Sequence, residues 1–455
     1  MDVENLKKTF KNGRMIVFYI RLYYDEEQRG ADKMPITLAQ GVNLHVVPTE
    51  KYKTVRILVR FNTRLNKETI TKRTLLSSLL ETNSLNYPDQ VKLSEKLAEL
   101  YGASFGINVN KKGNLHWLNL SMNLVNDKYL DNSHVLADAA DFVKEILFYP
   151  NIIDGKFEAE TFQREKENLK AYYESISEDK QVYSSLALQN LYFGRSDDQK
   201  IPSFGIIADL EAETAETIAA YHQQMLQEDQ VDIFVLGDVD EAQVTALFSK
   251  LPFEDRAAGI ADIFYTQPSR NVIEERSEQE TLAQSKLNLG YHTDVYYGDE
   301  NYFALQIFNG VFGGFPHSKL FMNVREKENL AYYASSSIDT FRGFLSVQTG
   351  IDGKNRNQVL RLISVELENI RQGNVTDLEI EQTKAMLKNQ YLLSLDNAGA
   401  VLENEYLNDL IPHLRLKDDE WIRRMEAVTL ADVQRVAKLV QLQAIFFLEG
   451  EKADA

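Results

Sequence analysis

Cysteine is absent from all 455 residues. Its absence removes disulfide staples, thiolate zinc sites and cysteine nucleophiles together, and it fits a reducing compartment. Long apolar runs are missing as well. The longest near the N-terminus, M-I-V-F-Y-I at residues 15 to 20, is too short to span a bilayer. No small-residue cleavage site follows it, only Arg21 and the acidic Asp25, Glu26 and Glu27. Positive charge is in deficit: 50 Lys and Arg against 68 Asp and Glu leave a net charge of −18. Such a surface repels phosphate backbones and anionic lipid, so neither nucleic acid nor membrane is expected as a partner. Histidine is sparse. The residues are His45, His116, His134, His222, His292, His317 and His413, and no two lie within one helical turn of each other. A G-x-S-x-G elbow and a G-x-x-x-x-G-K-[ST] loop are also missing. G-I-D-G-K-N from Gly350 reads as a turn. The cytoplasm is the expected location.

What is present is an ordinary globular composition, 44% hydrophobic and 26% charged, able to build a packed core. At about 150 residues per domain the length suggests two to four domains. The informative feature is an internal repeat with a period far beyond that of a solenoid. Leu118, Leu120, Met122 and Leu124 alternate with polar residues, as Leu345, Val347 and Thr349 do later. Each strand is followed by a polar turn and an amphipathic helix. One helix carries Val135, Ala139, Phe142 and Ile146 on a single face, the other Val359, Ile363, Leu367 and Ile370. A further helix follows in each half, from Asp154 and from Thr376, the second opening on a Thr376–Glu379 capping box. Each half closes on a strand, V-D-I-F-V-L-G after Gln230 and A-I-F-F-L-E-G after Gln443, which pairs Ile233 with Ile445. The fold class is therefore α+β: two tandem duplicated domains, each an antiparallel sheet covered by helices on one face. The domains are expected at residues 36–252 and 281–455, with a charge-rich linker over 253–280 and an N-terminal extension over 1–35.

Val311 to Ser335, V-F-G-G-F-P-H-S-K-L-F-M-N-V-R-E-K-E-N-L-A-Y-Y-A-S, resembles the second-domain signature of the pitrilysin/insulinase family of zinc peptidases. The first half supports the resemblance with Tyr87-Pro88, L-S-E-K-L-A-E-L-Y-G-A-S and L-G-D-V-D in family order. It covers about residues 36 to 450. Together with G-V-N-L-H-V-V-P-T from Gly41, it points to a bacterial branch of non-peptidase homologues that accompany a zinc-bearing sister protein. The resemblance implies a fold like that of the processing peptidases and LuxS, in which paired domains form half of a clam shell around unfolded peptide.

In that family a helix carries H-x-x-E-H, two imidazoles on one face with a carboxylate beside the zinc-bound water. Counting back from Tyr87-Pro88, those places read Thr74, Leu75, Leu76, Ser77 and Ser78. Hydroxyls are poor zinc ligands, and Ser77 cannot serve as a carboxylate base. The third ligand's neighbourhood holds Lys170, Ala171 and Tyr172, with Glu165, Glu167 and Glu174 nearby. No catalytic residue, metal or other cofactor is expected. The motif places Arg325 and Tyr332 where the family contacts the substrate backbone. The bland alternative pairs Arg325 with Glu326 or Glu328 and buries Tyr332 in the core, and Tyr333 rivals Tyr332 for the role. Ala103 to Val109 is either a peptide-accepting edge strand or a plain buried one. His317 reads as a solvated loop residue, Trp117 and Trp421 as core or interface aromatics. The expected partners are a homologous zinc-bearing subunit and peptide substrates, with a homodimer as the assembly of the isolated chain. A scaffold or peptide-holding protein is the alternative function, and an active peptidase with an unusual metal site is the third.

Overall fold

The computed structural model describes residues 34–451, apart from 132–133, 258 and 260–261. The extension expected over 1–35 lies almost wholly outside them. In chain order the first half contributes β1 (Ile36–Ala39), β2 (Val42–Pro48), β3 (Thr54–Arg64), β4 (Ser104–Lys112), β5 (Leu115–Val125), a small hairpin of β6 (Ile152–Ile153) and β7 (Lys156–Phe157), and β8 (Gln230–Gly237). The second half contributes β9 (Glu274–Thr281), β10 (Ser285–His292), β11 (Ala331–Asp339), β12 (Phe344–Ile351) and β13 (Gln441–Glu451). The first sheet runs β1-β2-β8-β3-β5-β4 and the second β11-β12-β10-β13-β9. Both are antiparallel except for one parallel pair each, β2 with β8 and β9 with β13.

The repeat in sequence is a repeat in register. Val59 on β3 lies between Leu120 and Ile233, and Leu289 on β10 lies between Val347 and Ile445. Two residues along, Phe61 faces Leu118 and Tyr291 faces Leu345. Side chains alternate across a strand, so Val55, Ile57, Val59 and Phe61 all point to one face. There they bury against Leu75, Leu76, Leu79 and Leu80 of helix Lys67–Thr82 and against Ala139, Phe142 and Ile146 of helix Val135–Phe148.

The opposite face is covered too, which corrects the one-sided layering expected from sequence. Leu58, Trp117, Phe234 and Leu236 pack on Leu402, Tyr406 and Leu407 of helix Ala398–Leu410, which belongs to the second half. Reciprocally, Leu188 and Tyr192 of helix Lys180–Tyr192, with Phe193, pack on Phe344, Ala444, Phe446 and Leu448 of the second sheet. Each half lends a helix to the other, and each fully buried Phe or Leu in these seams contributes about 1.5–3 kcal/mol. Gly290 permits the second contact: a Cβ there would stand 3.1 Å from the Phe344 ring and 3.2 Å from that of Tyr192.

Two local readings also change. The helix expected from Asp154 begins at Ala159, because Asp154 and Gly155 take φ of 52° and 77° and close the β6–β7 hairpin. Glu158 then caps the helix, accepting from the Glu160 and Thr161 amides. The stretch 253–280 ends in β9, whose charged side chains suit an edge strand. Trp117 lies in the seam between halves, and Trp421 stacks on Tyr391 at 3.9 Å. Among the described residues no helix is long and apolar enough to cross a membrane.

Buried histidines give the fold an acid limit. His116 Nε2 donates to the Ser203 carbonyl at 2.7 Å and His222 Nε2 to that of Leu147 at 2.9 Å. Burial holds their pKa values down at about 3 and about 4. Both are neutral in the fold but protonate near pH ~6.5 once unfolded. Below that pH the unfolded chain binds protons that the native one does not, so stability falls as pH falls, by up to ~1.4 kcal/mol per unit for each site. Urea midpoints measured from pH 7 down to pH 5 should decline. His222→Gln should flatten the decline, and an unchanged slope would refute the assignment.

Candidate functional site

Helix Lys67–Thr82 starts where the Asn66 side chain accepts the Glu68 amide, and it lies across the first sheet beside β4. Its five metal-type places are spent on the fold. Thr74 Oγ1 donates to the Ile70 carbonyl at 3.1 Å, and Ser77 Oγ and Ser78 Oγ to the Thr74 carbonyl at 2.7 and 3.4 Å. Leu75 and Leu76 are wholly buried. These hydroxyls bond back to their own helix, the usual fate of mid-helix Ser and Thr. On helix Ala159–Glu178 the third-ligand neighbourhood is a charged outer face. Lys170 pairs with Glu211 at 3.7 Å, Glu165 is held by Arg164 at 3.0 Å and Asn168 at 3.2 Å, and exposed Tyr172 packs edge-on against Phe204. Among the described residues no metal-type cluster includes a residue of either helix.

Two polar groups on the first helix escaped the sequence reading. Arg73 is fully buried and bonds Asp229, Tyr221 and the Phe61 carbonyl. Glu81 turns toward β4, and its Oε2 accepts the Ile107 amide at 3.0 Å. β4 is the sheet's edge, with only Ile107 of its nine residues buried, so it is not a plain interior strand. The Ile107 amide is turned away from β5, so Glu81 occupies the middle of the edge to which a peptide would add. Burial pushes the Glu81 carboxyl above the usual range. The Ile107 amide opposes that shift, and the Glu165 charge adds to it.

In the second half the Gly-Gly signature has a packing cause. Gly310–Gly314 and Leu320–Lys327 are π-helical turns laid against β11, a form often found at functional sites. A Cβ on Gly310 would stand 2.4 Å from Thr383 Cγ2, and one on Gly313 would stand 2.7 Å from the Ser336 amide. Ser336 faces Val347 as Ile107 faces Leu120, so the same edge position is covered in both halves.

Arg325 lies on the second π turn with its side chain 40% exposed. Its guanidinium sits 4.6 Å over the Phe321 ring and only loosely against Glu326, at 3.6 Å. A short turn closed by Leu330 N donating to Val324 O at 3.1 Å leads to β11. Tyr332 is 66% exposed and sits at a bulge, where the pairing with β12 slips between Ala331 and Tyr333. It does not fill the core, which removes that alternative. Tyr333 packs instead, half-buried against Gly350, with Lys286 Nζ 5.3 Å from its ring centroid and its phenol pushed up to about 12 by burial. His317 is anchored rather than merely solvated: its Nε2 lies 2.8 Å from Thr383 Oγ1 and its ring stacks on Phe315.

The two halves are a duplicated α+β pair, with a metal-type helix beside the edge strand of one and a Gly-Gly turn beside that of the other, the architecture of metallopeptidase-like folds. A family profile described as "Peptidase M16 inactive domain" matches residues 212–387. The "Probable inactive metalloprotease YmfF" of Bacillus subtilis (strain 168) is 36% identical over 417 residues, covering 90% of this chain and 96% of that protein. The crystal structure of a conserved protein from Enterococcus faecalis V583 superposes with a TM-score of 0.91 at 73% identity, covering 93% of this chain and 100% of that one. A peptidase M16 inactive domain from Pseudomonas fluorescens shares the fold at a TM-score of 0.75 and 17% identity, over 93% and 100% of the two chains. The chain belongs to the M16 metallopeptidase family. Within it the chain stands with the inactive homologues, by its likeness to the probable inactive metalloprotease and to the inactive-domain profile.

Proposed function

We propose that this chain is the non-catalytic subunit of a two-chain peptidase, supplying Arg325 and Tyr332 to an active site whose zinc is held by a homologous partner. The observation that carries this reading is the contrast between the two halves. The hydroxyls at the metal-type places are bonded to their own helix, while Arg325 and Tyr332 project outward on either side of one turn. A guanidinium and a phenol can both donate to a peptide carbonyl, and they bind it more strongly as negative charge develops on the oxygen. The zinc of the partner supplies the activated water. We assign the pair to the cytoplasm.

The test mixes the purified chain with a homologue from the same genome that carries H-x-x-E-H, and assays a flexible peptide. Neither chain alone should cleave well, and the mixture should. A mixture no faster than the zinc-bearing chain alone would sink the proposal.

A second reading, a peptide-holding protein that works as a homodimer without a peptidase, is favoured by the exposed β4 edge. Both readings have an extended peptide adding to that edge through backbone hydrogen bonds, and Glu81 stands in its way. One hydrogen bond contributes about 0.5–1.5 kcal/mol net, so Glu81→Ala should tighten binding of a labelled unfolded peptide roughly 2- to 10-fold. Fluorescence polarisation measures this, and weaker or unchanged binding would remove β4 as the docking edge.

A further inference from the structure

Three metal-type side chains, drawn from both halves, converge on the face of the first sheet turned away from helix Lys67–Thr82. His45 lies on β2 and Asp232 on the parallel neighbour β8, while Asp409 comes from helix Ala398–Leu410. One ligand atom from each lies within 4.8 Å of the other two, with His45 Nε2 3.2 Å from Asp232 Oδ1. We propose that His45, Asp232 and Asp409 bind a divalent transition-metal ion, Zn²⁺ foremost, which fastens the first sheet to the helix that the second half lays upon it.

The ligands are held for the purpose. The His45 ring stacks on Phe234, centroids 4.2 Å apart and planes 10° from parallel, which fixes the direction of Nε2. Asp232 is buried, and its carboxylate is oriented by Asn43 at 3.2 Å on Oδ1, and by Asn62 at 2.9 Å and Gln230 at 3.5 Å on Oδ2. Asn62 is itself set by the Tyr406 hydroxyl at 2.8 Å, and Tyr406 lies one turn before Asp409 on the same helix. Such outer partners characterise metal sites, where they fix the geometry of the ligating groups.

Charge points the same way. Two carboxylates face each other across a single imidazole. With the ligand atoms within 4.8 Å of one another, their negative charges repel at close range. A divalent cation between the carboxylates would relieve that repulsion. One imidazole nitrogen with two carboxylate oxygens suits zinc better than magnesium or calcium, and leaves a coordination position for water. An ion bound only by the folded chain stabilises it by mass action. The site lies across the sheet from the H-x-x-E-H positions, so it is independent of the peptidase reading and implies no hydrolysis by this chain.

The experiment uses the full chain stripped with a chelator, then titrated with Zn²⁺ by calorimetry, with Mg²⁺ as counter-probe. One equivalent of zinc should bind, raise the melting temperature and be reversed by EDTA, while magnesium should do neither. Asp409 is exposed, so Asp409→Asn should fold normally, melt like the stripped parent, and lose at least about tenfold in zinc affinity. His45→Gln should do the same, and His413→Gln, outside the cluster, should bind as the parent does. The inference falls if no stoichiometric zinc binds, or if Asp409→Asn and His45→Gln both bind as tightly as the parent.

Discussion

Asp229→Ala is expected to remove about 3–5 kcal/mol of stability, the loss typical of breaking a buried ion pair from one side. Arg73 is wholly enclosed beneath the first sheet. Its guanidinium meets Asp229 Oδ2 at 2.5 Å, the Tyr221 hydroxyl at 3.1 Å and the Phe61 carbonyl at 2.8 Å. Burial works against its charge, but Asp229 and Tyr221 outweigh burial and hold the proton more tightly than usual. A guanidinium cannot become neutral to escape. Removing Asp229 therefore strands a full charge in the core. The double change Arg73→Met with Asp229→Leu should cost clearly less than the single one, because it leaves no orphan charge. Urea midpoints at constant m-value decide the matter. If Asp229→Ala loses less than about 1 kcal/mol, the pair is not the electrostatic anchor that its burial implies.

The place of this pair matters for the reading of the helix. In the residue before the H-x-x-E-H positions, the chain has put a large charge into its interior and satisfied it there. The next five residues add two leucines to the core and three hydroxyls bonded to the helix backbone. The segment has the polarity of a packing helix throughout.

The repeat was legible because alternation is a local property. Ile233 and Ile445, like Leu118 and Leu345, could be paired from pattern alone, and the sheets place them in matching register. The reciprocal helices were not read, although a trace was present. β3 reads T-V-R-I-L-V-R-F-N-T-R, with Leu58 and Arg60 on the face opposite Ile57 and Val59, and β8 carries Phe234 and Leu236 there. Apolar residues on both faces signal two-sided burial. Arg60 masked that signal. It is buried between the rings of Trp117 at 4.0 Å and Tyr406 at 4.4 Å, and bonds Asn119 and Glu403. Glu403 is 343 residues away in sequence, and no local pattern announces such a partner. Glu81 is the same kind of case, a carboxylate on a helix whose acceptor role depends on a neighbouring strand. The choice between Tyr332 and Tyr333 turned on a bulge. A period of two assigns faces only while register holds, and the slip at Tyr332 reverses them, sending Tyr332 outward and leaving Tyr333 to pack.

Arg325→Ala in the reconstituted pair is expected to lower kcat about 10²- to 10³-fold, or roughly 2.7–4 kcal/mol of transition-state stabilisation, with little change in KM. The split follows from the chemistry: a neutral peptide carbonyl gains modestly from a guanidinium, and the developing oxyanion gains far more. The fold should not suffer, because the contact with Glu326 is long and exposed, a class of pair that contributes about 0–1 kcal/mol. An unchanged melting temperature would separate this effect from unfolding. Arg325→Lys should restore charge but not the planar fork of donors, and so recover only part of the rate. Tyr332→Phe should act in the same direction with a smaller loss, since it removes a single neutral donor. Should Arg325→Ala leave kcat of the mixture untouched while the two chains still associate, the shared active site is excluded.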